Sequence, residues 1–360
     1  MPTSEKIAAL AIEKYLNELP ANDSLRQIHL CGGGAVVALE NKIKRFYGMK
    51  YALCVSNATT ALMALAMALE FKKADFVTSP YTYGATISGW MMQGNRPVFA
   101  DINAETLALD CHATANAIST KTKAILVTDI YGIPHDSAGM RKTADKYGLW
   151  YISDTAQSLG ATYFGQPSGS YADALVVSFT VGKTVFAGEG AAIVTNHEVL
   201  YDKLLWYTQH PLRQKKELGL SLSNEFGLNA RIHPLAAVWA NAVWNSELRK
   251  LAERQKHCYE IIDKLNKIGL TERISFRPNK INPSFFRLTA SWKNSKGKKE
   301  ALLEELNACI GPMIIEHAPV KLIYQQSSFV AQYKKSIWAK VQCPQAERQV
   351  QRRFCLVSDI

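Results

Sequence analysis

Between about residues 50 and 195 the chain repeats one pattern, a short apolar β-rich run followed by a stretch of helical character. "YALCVS" (51–56) precedes "ATTALMALAMALEF", "DFVTS" precedes "GATISGWMMQG", and "RPVFAD" follows. "KAILVTD" leads into "DSAGMRKTADKYG", and "LWYISD", "ALVVSF" and "AAIVTN" complete the series. Strands spaced by helices of about 10–15 residues predict an α/β fold with a mostly parallel sheet, covered by helices on both faces. Such sheets bind ligands outside the carboxyl ends of their strands, so chemistry is sought at those ends.

From His233 to about Lys267 the sequence reads as one long helix with no proline or glycine in its interior. Beyond it, "SFFRLTAS" and "PMIIEHAP" flank the charged helical stretch "GKKEALLEELNACI", which predicts a smaller α/β part. The expected division is a large domain over 1–245 and a small one over 246–360, joined by the helix that starts near 233. The N-terminus, "MPTSEKIAALAIEKYLNELP", reads as an amphipathic helix that could pack on the small domain.

Composition narrows the function classes. Hydrophobic residues make up 48% and charged residues 20% of the 360, ordinary values for a soluble globular protein. No apolar run approaches the ~18 residues of a membrane span. The N-terminus lacks the basic-then-apolar layout of a secretion signal, so no membrane role and a cytoplasmic location are expected. Seven dispersed cysteines (31, 54, 111, 258, 309, 343 and 355) contain no Cys-x-x-Cys pair, which suggests reduced thiols, no metal site and no disulfide framework. The net charge of +11 favours anionic partners. Its basic clusters, near Lys121, Arg213 and Lys296, are short and lack the interleaved aromatics of a single-strand binder. Phosphorylated small molecules account for the charge, and nucleic acid is not expected.

Four features fall where strands stop. After the first, "SNATTAL" opens a helix whose free N–H groups suit a phosphate, or serve as a plain cap. After the second, "SPYTYGAT" carries Tyr81 and Tyr83, which could stack on a flat ring or simply pack. After "LWYIS" comes Asp154, able to cap a helix or to stabilise a positive charge on an enclosed ligand. After "ADALVV" comes "SFTVGKTVFAGEG", with a lone lysine, Lys183, among small and apolar residues. A lysine there could snorkel to water. Together, however, an amine, a carboxylate, an aromatic and a phosphate cradle meet the needs of pyridoxal phosphate. That cofactor takes an amine as a Schiff base and needs a carboxylate facing its ring nitrogen.

At this point the chain resembles the DegT/StrS-type sugar aminotransferases, which are fold-type I enzymes dependent on pyridoxal 5'-phosphate. The resemblance runs from about Gly32 to Trp244, with a weaker echo near Cys343. "GGGAVVALENKIKRFYGMKYALCVSNATTAL" is similar to the family's entry segment and phosphate turn. "SPYTYGATISGWMMQGNRPVFADINAETLALD" is similar to its aromatic turn and the following strand. "DTAQSLGATYFGQPSGSYADALVVSFTVGKTVFAGEGAAIVTN" resembles the Asp-x-Ala-Gln and Ser-Phe-x-x-x-Lys core, and "GLNARIHPLAAVWANAVW" the Gly-x-Asn-x-Arg segment.

The resemblance implies Lys183 as the Schiff-base lysine and Asp154 as the partner of the pyridine nitrogen. Tyr83 would stack on the ring, Gln157 would lie near its phenolic oxygen, and Ala58, Thr59, Thr60 and Ser178 would hold the phosphate. Asn229 matches a residue that reaches the cofactor of the neighbouring subunit, which implies a homodimer with active sites at the interface. Arg231, His210 and Tyr207 are candidates for substrate contacts, while His233 is expected to be structural. The implied reaction moves an amino group from an amino acid, glutamate first, through an internal aldimine and pyridoxamine phosphate to a nucleotide-linked keto-sugar or a keto-cyclitol. The alternatives are a sugar dehydratase or aminohydroxybenzoate-type synthase using the same cofactor, and a catalytically silent binding or regulatory homologue. Three departures stand out. Ala191 replaces the last glycine of Gly-Glu-Gly-Gly, and Ala58 replaces a common glycine. The chain stops at "FCLVSDI", before a helix that relatives carry, so a shortened small domain is expected.

Overall fold

The computed structural model describes residues 3–19, 30–293, 299–309, 313–318, 320–333 and 341–358; Lys296 of the "KGKK" cluster lies outside them. The apolar runs form β1 Tyr51–Val55, β2 Asp75–Thr78, β3 Arg96–Phe99, β4 Thr122–Thr128 and β5 Trp150–Asp154. A short hairpin, β6 Thr162–Tyr163 and β7 Gln166–Pro167, precedes β8 Ala174–Ser178 and β9 Ala191–Thr195. Seven of these order as β1-β9-β8-β5-β4-β2-β3. Pairings from β3 across to β8 are parallel, as the alternating pattern predicts. β9 differs, running antiparallel to both β8 and β1. Residues 179–190 contain no helix, so the chain returns beside β8 as a hairpin instead of crossing over the sheet.

Helices cover both faces, and the strands show it residue by residue. In β8, Ala174 and Val176 join the apolar cluster of Leu65 and Trp90, whereas Leu175 and Val177 join that of Ile43 and Trp244. In β4, Leu126 faces the first cluster, while Ile125 and Val127 pack with Met140 and Tyr151. Neither face meets water, which is why these strands read as unbroken apolar runs.

The long helix spans Pro234–Ile268, and His233 caps it structurally, its Nδ1 accepting the Leu235 N–H at 3.2 Å. The first half of the helix, with Ala237, Ala240, Val243 and Trp244, packs into the core behind the large sheet. Its last half, with Cys258, Ile261, Ile262 and Leu265, packs into a separate cluster. That cluster lies against β11 Leu288–Ser291, β12 Met313–His317 and β13 Arg353–Ser358, which follow β10 Ile281–Asn282 and form an antiparallel sheet ordered β11-β13-β12. The segment "FCLVS" thus supplies the central strand of the C-terminal sheet. The helix Ser4–Asn17 lies along the long helix, where Lys250 Nζ donates to Ser4 Oγ at 2.6 Å. Ala8 joins the core behind the large sheet.

One carboxylate ties the C-terminal part to the large sheet. The helix Pro344–Arg352 receives no cap from its own N-cap residue, Cys343. Asp101, just past β3, caps it across the molecule, accepting the Gln345 and Ala346 N–H groups, both at 2.9 Å. Asp101→Ala is therefore expected to lower stability by about 1–2 kcal/mol. Asp101→Asn keeps one acceptor oxygen and should lose less. Urea unfolding of the two variants beside the wild type measures both effects, and equal midpoints for all three would contradict the cross-cap.

Candidate active site

A cavity of about 480 Å³ opens at the carboxyl ends of β1, β4, β5 and β8. It brings together Ala58, Thr59, Thr60, Tyr83, Asp154, Gln157, Ser178 and Lys183, which is every proposed cofactor residue except Asn229. A second cavity of the same volume lies by Cys111, Tyr163 and Arg277, and none of the expected residues reaches it.

Asp154 is the last residue of β5 and is buried. Its Oδ2 accepts the Thr86 hydroxyl at 2.7 Å, and its Oδ1 accepts the Ala156 N–H at 3.1 Å. Burial pushes its pKa up; the two hydrogen bonds and the nearby Lys183 amine pull it back. Lys183 lies on the connection after β8. The chain turns at Gly182, whose φ of +80° suits glycine, just before presenting the amine. Lys183 Nζ sits over the Phe286 ring, 4.4 Å from its centroid. Burial lowers its pKa, and Asp154 opposes that shift only in part.

A consequence can be measured. The neutral amine of Lys183 is populated at lower pH than that of an exposed lysine, so its attack on an aromatic aldehyde should show a pH midpoint below the ordinary lysine value. Borohydride trapping across a pH series reads that midpoint, and a value at or above the ordinary one would contradict a desolvated amine.

The phosphate side begins at the helix Ala58–Ala68. Asn57 Oδ1 accepts the Thr60 N–H at 2.8 Å, so that amide is already capped. The Ala58 and Thr59 amides have no intrahelical acceptor and remain for an anion, beside the Thr60 and Ser178 side chains. Neither alanine departure strains the backbone. Ala58 is the first helical residue with no positive φ, and Ala191 opens β9, paired with Val55 and Ser178. Gly190 is the position that needs glycine: its φ is +151°, and a Cβ there would sit 2.8 Å from Ile232 Cδ1.

Tyr83 is the N-cap of the helix Gly84–Met92 and stands at the cavity rim, 69% exposed. Gln157 is fixed by its oxygen, which accepts the Tyr131 N–H at 2.7 Å, leaving the amide nitrogen to donate. Tyr131 holds a left-handed φ of +57° in doing so.

The other four candidates lie outside the cavity. Asn229 is exposed, with φ +50°, and its Oδ1 accepts Arg231 Nη1. Arg231 bridges to Val55 at the end of β1. His210 Nδ1 accepts the Leu212 N–H at 3.2 Å and so caps the helix Pro211–Leu218, while burial, and then Arg231, lower its pKa. Tyr207 takes part through its carbonyl, which accepts the Leu228 N–H at 2.7 Å. The four form a second group beside β1.

Residues that the sequence did not single out also enter the cavity: Thr86, Thr128, Thr180 and Glu189. Thr180 Oγ1 donates to Glu189 Oε1 at 2.9 Å. Thr86 sits in the first turn of the helix that Tyr83 caps, a spacing that could have marked it. Phe286, the ring beneath the Lys183 amine, follows the long helix in the chain, and no local pattern announces it.

Among characterised proteins, the chain is similar to a GDP-perosamine synthase of Vibrio cholerae, 34% identical over 174 residues, covering 48% of this chain and 47% of that protein. It is also similar to a UDP-2-acetamido-2-deoxy-3-oxo-D-glucuronate aminotransferase of Pseudomonas aeruginosa, 32% identical over 240 residues and 66% of each chain. The matched segments thus span about half to two thirds of these relatives' lengths. In architecture it matches NtdA of Bacillus subtilis, solved with bound cofactor PMP, at a TM-score of 0.80 and 20% identity over 99% of this chain and 80% of that one. The shared architecture is the fold-type I one expected from the sequence. The model of the DegT/DnrJ/EryC1/StrS aminotransferases covers residues 14–358. The chain belongs to the DegT/DnrJ/EryC1/StrS aminotransferase family.

Proposed function

We propose that this chain is a pyridoxal phosphate-dependent aminotransferase that takes an amino group from an amino acid, glutamate first, and delivers it to a nucleotide-linked keto-sugar. The observation that carries this reading is the sharing of one cavity by the Lys183 amine and the Asp154 carboxylate, each close enough to shift the other's ionisation. When bound, pyridoxal phosphate supplies an aldehyde for amine exchange and a ring that withdraws electrons from the substrate's amine-bearing carbon. Lys183 Nζ, partly desolvated and hence a competent nucleophile, would hold that aldehyde and, when free, would take up the proton that leaves the substrate carbon. Asp154 stays anionic and favours a protonated ring nitrogen. Ala58, Thr59, Thr60 and Ser178 would hold the phosphate, Tyr83 would cover the ring, and the Gln157 amide would be left to donate to the phenolic oxygen.

Two further points belong to this proposal. Asn229, Arg231 and His210 serve the site of a second copy, so the working form is a homodimer. The exposed positions of Asn229, of Leu222 (76%) and of Phe226 (98%) support that arrangement. The division into 1–245 and 246–360 is supported by the long helix, whose two halves serve separate apolar clusters. The nucleotide-sugar activities of the two relatives and the net charge of +11 favour a diphosphate-bearing acceptor over a keto-cyclitol.

The test is spectroscopic. Purified protein mixed with pyridoxal phosphate should gain visible absorbance, lose it with glutamate, and recover it with one of a panel of GDP- and UDP-linked keto-sugars. Recovery only with keto-cyclitols would move the acceptor class. Colour that persists with every amino donor would favour dehydration, and no colour at all would favour a silent homologue.

A further inference from the structure

Three threonines form an unbroken buried chain behind Asp154. Thr86 Oγ1 donates to Asp154 Oδ2 at 2.7 Å, Thr82 Oγ1 donates to Thr86 Oγ1 at 3.2 Å, and Thr82 and Thr128 share a hydrogen bond at 2.8 Å. All three side chains are at most 6% exposed. They come from different elements: Thr82 from the loop after β2, Thr86 from the helix Gly84–Met92, and Thr128 from the end of β4.

A hydroxyl has one proton to give, and this fixes the direction of the whole chain. With the Thr86 proton spent on the carboxylate, the Thr86 oxygen can only accept, and it accepts from Thr82. The Thr82 oxygen must then accept from Thr128. Every dipole points toward Asp154, and a low-dielectric surrounding makes such aligned bonds reinforce one another. A proton on Asp154 Oδ2 would be donated to Thr86, and Thr86 and Thr82 would both have to turn; a proton on Oδ1 leaves the chain in place but removes the charge that its dipoles stabilise.

We infer that Thr128, Thr82 and Thr86 are positioning residues that hold Asp154 as the anion, and so keep the proton on the ring nitrogen of a bound cofactor rather than on the carboxylate. This rests on the proposed function. Two charged groups face Asp154, Lys183 from the connection after β8 and Asp129 from the end of β4. Asp129 is held by its own donors, Ser158 at 2.6 Å, Ser168 at 2.5 Å and His135 at 2.6 Å. Lys183 favours the anion only while it is charged, and burial works against that charge. The hydroxyl chain on Oδ2, beside the Ala156 N–H on Oδ1, stabilises the anion whatever the state of the lysine.

The experiment uses pyridoxal phosphate labelled with ¹⁵N in its ring, bound to the full chain and observed by NMR at neutral pH. The wild type should show a protonated ring nitrogen. Thr86→Val should move the signal toward the unprotonated position and slow amino transfer by about tenfold, the loss of one hydrogen bond to a charged group. Thr86→Ser should restore both readouts. Thr128→Val, two hydroxyls away, should give a smaller shift in the same direction, and it carries the test if Thr86→Val does not fold. A wild-type signal position in Thr86→Val, or in Thr128→Val when that is the variant available, would overturn the inference even if activity fell. A wild type that binds no labelled cofactor would instead overturn the functional reading, and the role of the chain with it.

Discussion

Lys183→Ala is expected to abolish amino transfer, by on the order of 10³-fold or more, while leaving the protein folded and no less stable than the wild type. The two halves of this expectation have one cause. The Lys183 amine is half-buried against Phe286 and loses hydration that Asp154 only partly replaces, so in the fold it is a cost. In the proposed chemistry the same desolvated amine is the nucleophile, and no neighbour can substitute for it. Lys183→Arg should be equally inactive, since the guanidinium keeps the charge but does not add to the aldehyde. Loss of activity accompanied by a large fall in melting temperature would mean that the lysine is a structural residue.

The second large effect lies outside the cavity. Arg213 is 1% exposed and forks onto Glu40, with Nη2 to Oε2 at 2.8 Å and Nη1 to Oε1 at 3.1 Å, while its Nε reaches Glu217 at 2.7 Å. Glu40 also accepts the Cys54 N–H at 2.8 Å, which locks the pair to β1. Gly32 packs directly on the guanidinium: its φ is +67°, and a Cβ would lie 2.5 Å from Arg213 Nε. Glu40→Ala strands a buried guanidinium with one remaining carboxylate and is expected to cost about 3–5 kcal/mol. Replacing both residues with methionine removes the charge together with its partner and should cost less than Glu40→Ala alone. Urea unfolding of the single and double variants decides the matter, and a double variant that is the less stable would contradict the reasoning. The pair bears on function because the helix Pro211–Leu218 that carries Arg213 leads into the segment bearing Asn229 and Arg231.

Much of this was legible in the sequence because the signals are local. Strands buried on both faces read as apolar runs, and the runs ending at Val55, Asp154 and Ser178 mark three of the strand ends that build the cavity. A lone lysine among small residues and a carboxylate closing a strand are visible without coordinates. The direction of β9 was not, because periodicity carries burial and not polarity, and only the absence of a helix in 179–190 hints at the hairpin. Glu40 and Arg213 stand 173 positions apart, so nothing local connects them. The threonine chain is hidden for the same reason: each hydroxyl looks like an ordinary helix-start or strand-end threonine until three elements converge. Asn229 is reached through family resemblance, and a single chain leaves it, with the candidate substrate residues Arg231 and His210, outside its own cavity.

The central claim, that Lys183 is the amine which captures the cofactor opposite Asp154, has a direct measurement. The protein is mixed with pyridoxal phosphate, reduced with borohydride and digested, and the modified peptide is located by mass spectrometry. The account predicts stoichiometric label on the peptide containing Lys183, lost in Lys183→Ala. Label spread over surface lysines, or retained in that variant at the same level, would contradict it.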